Sequence, residues 1–154
     1  MQRARKNIAQ NKYSFTRISI AWLVFIILRQ GGIMTTKVLI VDDAVFMRAI
    51  LKDILQKNSM EITGEAESVV RALELYQKIK PDVVLMDITM PEVDGIEGIK
   101  RIKAIDPNAK IIMCSSIGQQ NFVLKSIQAG AKDFIVKPFQ EDTVIKSIKR
   151  VSAL

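Results

Sequence analysis

The residues best placed to do chemistry sit in the stretch Pro81 to Gly95, PDVVLMDITMPEVDG. Its apolar run Val83 to Met86 stops on a single carboxylate, Asp87, and a Met90-Pro91 turn leading to Gly95 follows. Four apolar residues without polar alternation read as a strand covered on both faces, the signature of a parallel sheet between helices. Open sheets of that kind hold ligands at the carboxyl ends of their strands, so Asp87 is the candidate reactive side chain. Two more acids, Asp42 and Asp43, end an earlier apolar run (KVLIV, 37–41). Two carboxylates about 4 Å apart repel by roughly 4 kcal/mol at an effective dielectric of 20, so a cluster of three calls for a cation. An all-oxygen set suits Mg2+ or the similar Mn2+. We assign Asp43 and Asp87 as direct ligands, Asp42 as a ligand through water, and the backbone carbonyl of Thr89 as a further ligand. An Asp pair after a strand is equally explained as a helix N-cap. Ser115 and Lys137 end two later apolar runs. Each has a plain reading, as a loop residue and a solvated charge. Together at one sheet edge, a hydroxyl and an ammonium can both hold phosphoryl oxygens on Asp87.

The elements that must position these residues alternate at short intervals. Strands are expected at 37–41, 60–66, 83–86 ending on Asp87, 110–114 and 132–136. Helices are expected from Phe46 to Asn58, with Phe46, Ala49, Ile50 and Ile54 facing the core, then at 68–80, 95–105, 119–129 and from Glu141 onward. Pro81 and Gly130 act as stop signals. Five βα units in about 120 residues predict an α/β fold, a doubly wound five-stranded parallel sheet of order 2-1-3-4-5, flavodoxin-like, with helices on both faces. That order brings the ends of strands 1 and 3 together, and with them Asp42, Asp43 and Asp87. No glycine-rich nucleotide loop follows the first strand.

Composition narrows the chemistry further. The chain has 154 residues, no histidine and one cysteine, Cys114. This excludes histidine-based triads and zinc sites, a histidine phosphocarrier within the chain and an intrachain disulfide. The formal charge of +7 is unevenly spread. Residues 1–33 hold six basic residues and no acid, leaving 17 of the 23 basic residues against all 16 acids in 34–154. A nearly neutral globular part gives no bulk argument for DNA binding. The first 33 residues contain ISIAWLVFIIL (18–28), too short to span a bilayer and without a small-x-small cleavage pattern. They are a membrane-surface or signal-like segment, an ordered extension, or upstream sequence joined by a wrong start. We expect Met34 to be the start, residues 1–33 to lie outside the fold, and no stable membrane insertion.

Residues 37–152 resemble the receiver domain of two-component response regulators, specifically the CheY-like single-domain chemotaxis type. The resemblance rests on Asp42-Asp43, on Asp87 in MDITMPEVDG, on Ser115 after IIMC, and on Lys137 in GAKDFIVKPFQ. It implies that Asp87 accepts a phosphoryl group from a CheA-like sensor histidine kinase with Mg2+ present, and that Lys137 and Ser115 engage that group. It also implies a cis Lys137-Pro138 bond, rate tuning of hydrolysis by Thr89 and Ile117, and a switch through Ser115 and Phe134. Phe134 stands where many relatives carry Tyr, and is equally explained as a core aromatic. Ser116 stands where Ala or Gly is common. With no output domain after the last helix, the resemblance implies action by binding, with a FliM-like flagellar motor switch protein as partner, a phosphatase acting on the group, and a cytoplasmic location.

Three rival readings share parts of this pattern. A phosphorelay intermediate, passing phosphate from Asp87 to a histidine phosphotransfer protein, uses the same residues. A haloacid-dehalogenase-type phosphatase needs a second Asp two residues after the first, where this chain has Thr89. A pseudo-receiver would lack charged site residues that are all present here.

Overall fold

The computed structural model describes residues 35–116 and 120–154; the expectations for residues 1–33 and for Ile117 lie outside them. Five strands, β1 (Lys37–Val41), β2 (Glu61–Ala66), β3 (Val83–Asp87), β4 (Ile111–Ser116) and β5 (Asp133–Lys137), alternate with five helices. These are α1 (Val45–Lys57), α2 (Val69–Ile79), α3 (Gly95–Ile105), α4 (Gln120–Ala129) and α5 (Glu141–Ser152). The strands pair in parallel in the order β2-β1-β3-β4-β5, the expected one.

Alternate strand residues serve opposite faces. Leu39, Val41, Val84, Met86, Ile111 and Met113 join Val69, Ala72, Tyr76, Ile99 and Ile102 in one cluster under α2 and α3. Val38, Ile40, Val83, Leu85, Ile112 and Ile135 join Leu51, Ile54, Leu55, Val144, Ile148 and Val151 in a second under α1 and α5. All five residues of β3 are buried, which accounts for its unbroken apolar run. Local signals set the helix ends. The Ser68 hydroxyl accepts from the Arg71 amide and the Asp94 carboxylate from that of Glu97, while Lys80 closes α2 in the left-handed region. The Tyr76 hydroxyl donates to Asp106 at 2.7 Å, tying α2 to the turn after α3.

Two expectations need correction, and β2 departs from regular pairing. Strand β4 does not stop at Cys114: the sheet hydrogen bonding continues through Ser115 and Ser116, paired with Val136 and Lys137. On α1, Phe46 and Ala49 are exposed, and the buried line is Leu51, Ile54 and Leu55. The first turn of α1 lies at the carboxyl edge of the sheet, beyond the strands that cover the later turns. Finally, β2 carries a bulge: Val38 pairs with Ile62 but Leu39 pairs with Gly64. The extra residue reverses which face each later β2 side chain serves, so Glu65, opposite Ile40, joins the α1 side.

The β3–α3 connection is drawn tight at Gly95, whose amide donates to the Ile88 carbonyl at 2.8 Å. A Cβ there would lie 2.0 Å from the Asp87 carbonyl oxygen, a backbone atom that cannot yield cheaply. At Gly98 the nearest atom to such a Cβ is the Met86 sulfur at 2.8 Å, part of a flexible side chain. Gly95→Ala is therefore expected to cost on the order of 3 kcal/mol or more, and Gly98→Ala about 1–2 kcal/mol. Urea denaturation of both variants checks the ranking; an equal or smaller loss at Gly95 would contradict it.

Candidate functional site

Four strand ends deliver the site. Asp42 follows β1 directly and is 1% exposed, its amide donating to the Ala66 carbonyl of β2. Asp43 is exposed. Asp87 closes β3 at 5% exposure, between Val41-Met86 on one side and its own partner Cys114 on the other. One carboxylate oxygen from each of Asp42, Asp43 and Asp87 lies within 4.8 Å of the others. The Lys137 ammonium, from the end of β5, sits 2.6 Å from Asp42 Oδ2 and 2.7 Å from Asp87 Oδ1. Its nitrogen is also 5.9 Å from the centre of the Phe139 ring, and the Lys137-Pro138 bond is cis.

The second Asp87 oxygen, Oδ2, accepts from the Thr89 amide at 3.0 Å. The helix-cap explanation of the acid pair does not hold. The N-cap of α1 is Ala44, whose side chain cannot cap, and Asp42 instead accepts from the Ala44 amide through Oδ1 at 2.9 Å. Ser115 is buried at the end of β4, with its hydroxyl directed to the Ser116 carbonyl at 3.3 Å. Phe134 is partly buried against the α2–α3 cluster and borders an open cavity of about 330 Å³ lined also by Val136, Pro138 and Thr143. One residue that sequence reasoning passed over is Arg48. Its guanidinium donates to the Asp42 carbonyl at 2.7 Å and, less closely, to that of Asp43 at 3.3 Å. The hint available in the sequence is its place in line with Leu51 and Leu55, on the buried side of α1.

Residues 38–149 match the family model described as response regulator receiver domain. The chain belongs to that family. The "Chemotaxis protein CheY" of Thermotoga maritima is 58% identical over 119 residues, 77% of this chain and 99% of that protein. The Bacillus subtilis protein of the same name is 58% identical over 117 residues, 76% and 98% of the two chains. Among solved structures, the CheX-CheY-BeF3-Mg+2 complex from Borrelia burgdorferi superposes with a TM-score of 0.72 at 37% identity, covering 75% of this chain and 87% of that one. Among the described residues, no helix is long and apolar enough to cross a membrane.

In this receiver domain the charges do not balance: among the described residues, Lys137 is the one cation ion-paired to the cluster of three carboxylates. Burial pushes the Asp87 carboxyl above its ordinary value and the Asp42 charge adds to the rise, while Lys137 and the Thr89 amide pull the other way without cancelling it. Burial alone would lower Lys137, yet its bonds to Asp42 and Asp87 outweigh that and hold it above the ordinary lysine value, so it stays an ammonium. The Cys114 thiol, paired with Asp87 across the sheet, is pushed up by burial, which keeps it a neutral thiol.

A carboxyl raised on folding binds its proton more tightly in the native than in the unfolded state. Its stabilising effect is present at low pH and is lost as pH rises from the ordinary carboxylate range through the higher folded value. At neutral pH the ionised Asp87 therefore costs the metal-free protein stability. Asp87→Asn is expected to raise the melting temperature at pH 7 without divalent metal by a few degrees, with the gain vanishing in acid. A lower melting temperature than wild type at pH 7 would overturn this.

Proposed function

We propose that this receiver domain takes a phosphoryl group onto Asp87 from the phosphohistidine of a CheA-like sensor kinase, and that the phosphorylated form acts by binding a FliM-like flagellar motor switch protein in the cytoplasm. The observation that carries the reading is the buried Asp87 carboxylate with Lys137 on one oxygen and two further acids beside it. The names of the two 58% identical relatives support the chemotaxis assignment.

In the transfer an Asp87 oxygen attacks phosphorus, the bond from phosphorus to the donor's imidazole nitrogen breaks, and the imidazole leaves with that electron pair. No general base is needed, because a carboxylate carries no proton to remove. Such a reaction rests on placement and on neutralising charge spread over the phosphoryl oxygens. Lys137 can follow that charge, since its ammonium already bridges Asp42 and Asp87. The three acids fit an oxygen-preferring divalent ion: Asp43 and Asp87 as direct ligands, Asp42 through water and the Thr89 carbonyl as a fourth donor would hold Mg2+ or Mn2+, which would supply further neutralisation. Ser115 donates its hydroxyl to the group once formed, and Phe134 moves toward the space this vacates. Thr89 and Ile117, two residues after Asp87 and Ser115 in the sequence, set the rate at which water removes the group, and a phosphatase partner speeds that removal.

Asp87→Asn should abolish labelling by acetyl phosphate, and Asp43→Ala should remove both labelling and its Mg2+ dependence. Ser115→Ala should still be labelled but should bind the motor switch protein at least about tenfold more weakly when phosphorylated. Labelling by mass spectrometry and capture on immobilised switch protein, compared with a histidine phosphotransfer protein, check these outcomes. Full labelling of Asp87→Asn defeats the assignment of the acceptor. Preferential capture by the phosphotransfer protein replaces the motor reading with a relay.

A further inference from the structure

Asp43 is the acid of the cluster whose side chain has the least to hold it. It is exposed, and among the described residues its carboxylate has no hydrogen bond or ion pair, whereas Asp42 and Asp87 are buried and each is bonded to Lys137. What aims Asp43 must act through its backbone. Its φ and ψ are the torsions between two planar peptide units, the one containing the Asp42 carbonyl and the one containing the Asp43 carbonyl. Both carbonyls accept from the same guanidinium nitrogen of Arg48. A donor that holds both planes fixes the direction in which the Asp43 side chain leaves the chain.

Arg48 is itself held. Its Nε lies 3.2 Å from Glu65 Oε2, and Lys52 lies 2.9 Å from Glu65 Oε1, so the Glu65 carboxylate is shared between two cations on successive turns of α1. These contacts set Glu65 below its ordinary value, through the Lys52 bond first and the Arg48 bond with it, against the opposing effect of burial. Glu65 reaches α1 only because the β2 bulge turns it to that face. In unbroken register it would lie opposite Val41, facing the apolar α2–α3 cluster. The bulge, Glu65 and Arg48 form a continuous path from the edge strand to the acid pair.

We propose that Arg48 is the positioning residue of the acid loop, braced by Glu65, and that it presets Asp43 for the divalent ion. This rests on the reading of the acid cluster as a Mg2+ site. A second role, as a nearby positive charge, has the opposite sign. Removing a cation beside three carboxylates would tighten Mg2+ binding, whereas losing the brace weakens it. Residues that orient a metal's ligands are typically worth 10- to 100-fold in affinity.

Calorimetric titration of the full chain with Mg2+, beside metal-free thermal melts, tests the proposal. Arg48→Met is expected to weaken Mg2+ binding about tenfold. Arg48→Lys keeps the charge but its single ammonium cannot hold both carbonyls and Glu65, so it should restore metal-free stability and not Mg2+ affinity. Glu65→Gln should weaken binding about threefold and add nothing to Arg48→Met, since both break one path. Mg2+ binding by Arg48→Lys and Glu65→Gln within twofold of wild type, or tighter binding by Arg48→Met, overturns the proposal. Should Arg48→Met not fold, the other two variants decide alone. Absence of Mg2+ binding by the wild-type chain would instead overturn the metal reading of the cluster and this proposal with it.

Discussion

The site depends on one ammonium. Lys137 stands between two buried carboxylates from neighbouring strands, within 2.7 Å of each, and without it Asp42 and Asp87 would be like charges held out of water. A buried pair that loses one partner is strongly destabilised, so this contact is a structural demand before it is a chemical one. It also ties the end of the last strand to the end of the first, because Asp42 and Lys137 are 95 residues apart. The strand order β2-β1-β3-β4-β5 places those ends around Asp87. Fold and site are therefore one requirement.

The neutralisation is partial by construction. Burial raises Asp87 despite Lys137, so this carboxyl is kept in a state that costs stability when ionised. That surplus negative charge is complementary to a divalent cation. A second lysine beside the three acids would offset that surplus permanently.

Much of this was legible from residue order. β3 could be read because burial on both faces leaves an unbroken apolar run, and Asp87 because a carboxylate ends it. The strand order follows from counting βα units, and the site follows from the order. What was not legible depends on contacts between distant segments. The extension of β4 through Ser115 and Ser116 comes from pairing with β5, and serines by themselves argue for a loop. The exposed Phe46 on α1 looked like core because helical spacing fixes a stripe but not where the sheet beneath it ends. The bulge in β2 leaves no mark in EITGEA, and without it neither Glu65 nor Arg48 has a visible purpose.

The tight approach at Gly95 has a mechanical corollary. With the helix start bonded to Ile88 and lying against the carbonyl of Asp87, the Asp87 main chain and the start of α3 are closely coupled. On the opposite flank, a partly buried ring borders open space beside β5. The rim is thus drawn tight on the Gly95 side and borders open space on the β5 side.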